Sequence, residues 1–191
     1  MTNRKKPWGY ATRAAIANEV DDATALAIGA YAIGLLAKDA PSALEAIHRA
    51  VSFNPSSAAA HFFGGFLHAW SGDPVRGTDL AERALRLSPF DPLTYQAHLA
   101  FAVATLLKGR YEESAGWWER CWRANPKFAA FVAAQSHALA LAGRMNEAKA
   151  IFARALELEP SLSIRTIREL GYAPEIEALW LRAARLLNVP E

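Results

Sequence analysis

The stretch LALAGRMNEAKAIFARALELEP, residues 139–160, decides the fold. It reads as the end of one helix, a turn at Gly143-Arg144, and a second whole helix stopped at Pro160. The same layout recurs upstream in TLLKGRYEESAGWWERCWRANP (105–126), HAWSGDPVRGTDLAERALRLSP (68–89) and GLLAKDAPSALEAIHRAVSFNP (34–55). The closing prolines Pro55, Pro89, Pro126 and Pro160 are spaced by 34, 37 and 34 residues. A period in this range marks a stacked array rather than a single globule. It divides the chain into four units at 24–57, 58–91, 95–128 and 129–162, with "PLT" lengthening the connection into the third.

Each unit reads as an antiparallel helix pair. Gly72, Gly109 and Gly143 end the first helices, because glycine tolerates the left-handed conformation found there. Asp73 followed by Pro74 reads as an N-cap with proline at the first helical position. The closing prolines stop the second helices, since the residue before proline resists the α conformation. Small residues fall where the two helices of a pair must approach: Gly65 opposite Gly77, Ala102 opposite Ser114 and Ser136 opposite Ala148. In the first unit Tyr31 takes the small residue's place, and a shift of one residue would let Ala30 or Ala32 make that contact. Such hairpins bury a continuous core only by stacking on their neighbours.

These residues, above all the sets Gly65, Gly72, Ala84, Pro89 and Gly143, Ala148, Phe152, Ala155, Pro160, resemble the tetratricopeptide repeat (TPR). The resemblance covers 24–162 and implies an all-α fold, a right-handed superhelix of stacked antiparallel helix pairs. Residues 87–129 and 139–160 further resemble the TPR region that follows the catalytic domain of bacterial class III adenylate and guanylate cyclases. LSIRTIREL (162–170) and ARLLNVPE (184–191) are similar to the tail of that subgroup. Helical repeats account for almost the whole chain, so no cyclase catalytic domain is expected within it. The implied role is that of a bacterial regulatory or interaction part.

The ends fall outside the period. Residues 1–23 read as an N-terminal half-repeat, with a helix over 10–20 and Trp8 and Tyr10 against the end of the stack. Residues 163–191 read as capping helices. In the last of them Ile176, Leu179, Trp180, Ala183, Leu186 and Leu187 form one apolar stripe.

Composition bounds the function. At 191 residues and 52% hydrophobic, the chain is long and apolar enough for a substantial core. A net charge of +2 draws no polyanion, and the arginines of the second helices are interspersed with glutamates, so no nucleic-acid partner is expected. One cysteine, Cys121, permits no intrachain disulfide; no run is long enough to span a membrane and no signal peptide is legible, so a cytoplasmic protein is expected. No phosphate-binding loop, nucleophile elbow or H-E-x-x-H pair is present. His61, His68 and His98 lack a third clear metal ligand, and Trp117, Trp118 and Trp122 read as packing between units. The chain is therefore expected to be no enzyme and to need no cofactor.

By the TPR resemblance, partners bind the concave face formed by the first helices. The residues expected to line it are Ile28, Leu35, Phe62, Phe66, Trp70, Leu99, Val103, Leu107, His137 and Leu141. That face carries no formal charge with His137 neutral, which excludes capture of a terminal carboxylate by lysine and asparagine. Three occupants fit an apolar groove: a protein or peptide partner such as an amphipathic helix, the chain's own terminal segment or a second copy, and a hydrophobic small molecule or lipid.

Overall fold

The computed structural model describes residues 22–191. The expectations for the N-terminal half-repeat, Trp8 and Tyr10 lie outside those residues. The described chain is an α-solenoid of four stacked antiparallel helix pairs followed by two further helices. The pairs are α1 (Ala23–Ala32) with α2 (Ala40–Phe53), α3 (Ala58–Trp70) with α4 (Pro74–Leu87), α5 (Thr94–Leu107) with α6 (Tyr111–Ala124), and α7 (Ala129–Leu141) with α8 (Met145–Leu158). A short α9 (Ile164–Glu169) and a longer α10 (Pro174–Leu186) complete the chain.

The turns inside the pairs follow from the sequence. Gly72, Gly109 and Gly143 all have positive φ. In each, the amide three residues past the helix returns to a carbonyl five residues back: Asp73 to His68, Arg110 to Thr105 and Arg144 to Leu139. This is the Schellman closure, which satisfies carbonyls left over at the helix end. The Asp73 carboxylate then accepts the Arg76 amide at 3.0 Å and starts α4.

The first pair solves the Tyr31 problem with an extra residue. Helix α1 runs on into a π-turn over Ile33–Ala37, and the closing bond from Asp39 to Ile33 spans six residues instead of five. Lys38 takes the left-handed position that glycine holds elsewhere. The insertion rotates Ala30 into the fully buried position and turns Tyr31 toward Phe63 and Phe66, at ring separations of 4.9 and 5.6 Å.

Close approach is tightest in the second pair. A Cβ placed on Gly65 would meet the Ala81 amide nitrogen and the Gly77 carbonyl oxygen, both at 3.0 Å. In the third pair the Ser114 hydroxyl donates across the seam to the Ala102 carbonyl at 2.8 Å. Ser136 and Ala148 are both fully buried in the fourth, with the serine hydroxyl donating to Ala133 of its own helix. Alanines fill most remaining positions of the seams, which lets helices approach closely enough for dispersion contacts to add up.

Stacking is uneven along the concave side. Helices α1 and α3 pack directly, as do α3 and α5, whereas α5 and α7 barely touch. Helix α10 contacts both α5 and α7. The indole of Trp118, on α6, stands next to this opening and meets Phe131 at 6.2 Å and Trp180 of α10 at 5.9 Å. Helix α9 therefore leads the chain back toward the start of the array, and α10 runs from there along the concave face toward α7.

Candidate functional site

The concave face is built from α1, α3, α5 and α7. Of the residues expected to line it, Phe62, Phe66, Leu99 and Val103 are almost wholly buried, and Trp70 and His137 nearly so. Leu35, Leu107 and Leu141 are half-buried, and Ile28 is 53% exposed at the first helix. The buried members have two sources of cover. Phe62, Leu99 and Val103 lie among the repeat helices, while Trp70 and His137 are overlaid by the segment 171–187.

That segment is seated by aromatic contacts. Gly171, at φ +71°, breaks the chain after α9 and passes within 3.3 Å (for a Cβ built on it) of the Lys38 side chain. Tyr172 then lies on Trp70 with ring centroids 4.0 Å apart and planes inclined by 30°. The next amide, of Ala173, donates to the Trp70 carbonyl at 3.1 Å. One turn into α10, Ile176 is fully buried, and Trp180 meets His137 edge-on at 5.8 Å. The result is a continuous aromatic row: Tyr31, Phe66, Trp70, Tyr172, Trp180 and His137. Offset and edge-on geometries of this kind add to the area buried by each ring.

Burial dominates the electrostatics here. The His137 ring is held neutral, with its pKa lowered to about 4 by desolvation, against a smaller raising effect from Nδ1 donating to the Ala133 carbonyl at 2.5 Å. Burial likewise raises the phenols of Tyr172 and Tyr31. The indole nitrogen of Trp70 and the Nε2 of His137 are buried without a hydrogen-bond partner. A cavity of about 40 Å³ lies beside His137, walled by α7, α9 and α10.

The histidines and tryptophans elsewhere are packed into the repeats. His61 Nδ1 is bonded to the Ser57 carbonyl at 2.8 Å, His68 lies 3.6 Å from the Asp73 carboxylate, and His98 lies against Trp117. Among the described residues no group of three or more His, Cys, Asp or Glu is placed to hold a metal ion. Trp118 is core, Trp117 is covered by Arg120 at 4.2 Å, and Trp122 donates to Gln135 at 2.7 Å beneath Arg154. Cys121 is buried, and burial raises its thiol well above the ordinary range. No helix among the described residues is long and apolar enough to cross a membrane.

With this geometry in place, comparison with solved structures is informative. PilW, a type IV pilus biogenesis factor, superposes with a TM-score of 0.67 at 18% identity, over 94% of this chain and 87% of that one. YrrB, described as a TPR protein with an unusual peptide-binding site, gives 0.54 at 18% identity, over 93% of each chain. The chain has the TPR fold. A thermophilic TPR protein of Thermus thermophilus gives 0.53 at 20% identity, over 87% of this chain and 90% of that one. No family model matches the sequence, and no curated protein matches it. At these identities the shared property is the TPR fold.

Sequence reasoning missed Tyr172 and Ala173, the residues that close over Trp70. The only local signal was Gly171 beside an aromatic residue, just ahead of the Pro174 that starts α10.

Proposed function

We propose that this chain is a non-enzymatic protein-interaction module whose concave face receives a helical segment. One observation carries the proposal: that face already holds a helix, α10, through Tyr172, Ile176 and Trp180. A face that seats one amphipathic helix has the shape and apolar lining to seat another, presented as anchors one and two turns apart. The sequence resemblance to the TPR region of class III cyclases supports a regulatory setting for the interaction. The hydrophobic-ligand reading has less support. The roughly 40 Å³ beside His137 is far below the ~300–1,000 Å³ of small-molecule sites.

A displayed library of amphipathic helical peptides tests the proposal. Binders are expected to carry an aromatic and an aliphatic anchor about one turn apart, and to lose binding to Leu107→Lys or Leu141→Lys. Those side chains are half-buried on α5 and at the end of α7, so a charge there opposes an apolar partner without emptying the core. An absence of binders, or binders indifferent to both substitutions, would contradict it.

A further inference from the structure

The row of first helices has an opening. It is continuous through α1, α3 and α5, parts between α5 and α7, and resumes only through α10, which touches both. Trp118 of α6 reaches that opening and meets Trp180 there. Helix α10 is therefore an inserted member of the row.

Its fit differs from that of the seam between α3 and α4. Where α3 meets α4, backbone meets backbone through Gly65 and Gly77 with no room for a methyl group. Where α10 meets the concave face, a cavity of about 40 Å³ remains. Trp70 Nε1 and His137 Nε2 are buried along the same seam with no partner. Each is a polar group taken out of water with nothing in return, which weakens the seam against any arrangement that would satisfy it. The backbone break at Gly171 supplies a pivot immediately before the helix.

We propose that α10 is an exchangeable occupant of the α5–α7 opening: it closes the site in cis, and an amphipathic helix of a protein partner replaces it. The proposal rests on the reading of the concave face as a helix-binding surface and adds its regulation. The cis occupant specifies the partner's chemistry. The incoming helix presents an aliphatic residue and an aromatic one a turn apart, as Ile176 and Trp180 do, then a small residue where Ala183 and Ala184 pack. It also presents a side-chain acceptor opposite Trp70, which α10 leaves unmet. Release of residues 171–187 is the step that admits it.

A reversible lock tests this in the full chain. A Cβ at position 171 would lie 3.6 Å from the Lys38 Cβ, within the ~3.5–4.5 Å that a disulfide requires. In Lys38→Cys/Gly171→Cys, oxidation pins the start of α10 to the first unit, and Cys121 is too buried to interfere. The probe is a labelled synthetic peptide of residues 171–188, read alongside hydrogen exchange over 172–180. In the unaltered chain, where Gly171 keeps its φ of +71° without the strain a cysteine adds there, these amides are expected to exchange faster than those of α3–α6. Oxidation is expected to slow them and to weaken peptide binding, each by at least about tenfold, because only the open state is competent. Trp180→Ala, which loosens the cis helix, should bind the peptide at least about tenfold more tightly than the unaltered chain. Exchange over 172–180 no faster than in α3–α6, or equal peptide affinity in all forms, overturns the proposal. Displayed helices that bind oxidised and reduced protein equally overturn the exchange alone. A segment that opens while the peptide never binds overturns the functional reading as well.

Discussion

Gly77→Ala puts the helix-pair packing to a quantitative test. In a helix interior alanine is favoured over glycine by about 0.5–1 kcal/mol, so propensity alone predicts a stabilised protein. Packing predicts the reverse. The new Cβ would stand 2.8 Å from the Ala69 nitrogen, the Ala69 Cβ and the Gly65 carbonyl oxygen. Unstrained non-bonded contacts of carbon lie near ~3.5–4.0 Å, so α3 and α4 must separate by roughly 0.7–1 Å. Two of the three atoms struck are backbone, which has no rotamer to escape into. Overpacking of this kind costs about 1–3 kcal/mol, and a widened seam forfeits part of every dispersion contact along it. The net expectation is a loss of up to about 2.5 kcal/mol after the propensity gain is counted. Gly116→Ala is the matched control, since Gly116 is an exposed residue inside α6 with nothing within 4 Å of its would-be Cβ. There only propensity acts, and a gain of about 0.5–1 kcal/mol is expected. Urea unfolding followed by circular dichroism, at unchanged m-value, measures both. A Gly77→Ala protein stabilised as much as Gly116→Ala would refute the assignment of this seam as backbone-to-backbone contact.

Other perturbations follow from the same structure. The folded His137 titrates near pH 4 instead of 6.5, so its neutral form is the one folding favours. Its contribution is intact above pH 6.5 and is lost as pH falls toward 4, by about 3 kcal/mol at one pH unit per ~1.4 kcal/mol. Urea midpoints across that range should fall with acid. His137→Gln should flatten the slope without abolishing it, because His61, His68 and His98 are lowered in the same direction. Asp73→Ala removes the cap on the Arg76 amide and should cost about 1 kcal/mol in thermal unfolding. Cys121 should resist a thiol reagent in the native protein and react at the rate of unfolding, since the thiolate that reacts is disfavoured by burial.

The periodic part of the molecule was legible because each boundary has a local chemical cause. Pro55, Pro89, Pro126 and Pro160 each stand two residues beyond the ends of α2, α4, α6 and α8. The three turn glycines occupy the left-handed positions expected of them, and Gly65 meets Gly77. The one-residue shift at Tyr31 was visible as a broken pattern, but its form was not. A π-turn has no residue signature of its own, and Lys38 hides the left-handed position that glycine marks elsewhere.

The C-terminal helices show where reading by residue stops. The stripe on α10 was visible, yet the structure buries Ile176, Trp180, Ala183, Ala184 and Leu187 and leaves Leu186 43% exposed, a slightly rotated face. An apolar stripe says that a helix is covered and does not say by what. The seat between α5 and α7 depends on how far two helices stand apart in different units, which no single segment encodes. One indirect signal existed: Trp118 holds the repeat position that Ala81 holds one unit earlier, so a larger space had to open beside it.

The position of the segment 171–187 along the concave face carries the functional reading. The direct measurement is a nuclear Overhauser spectrum of the protein with Tyr172 and Trp70 assigned. Ring centroids 4.0 Å apart predict strong cross-peaks between the Tyr172 ring protons and the Trp70 indole. Cross-peaks from Tyr172 to solvent alone, with a Trp70 indole proton that exchanges freely with water, would contradict it.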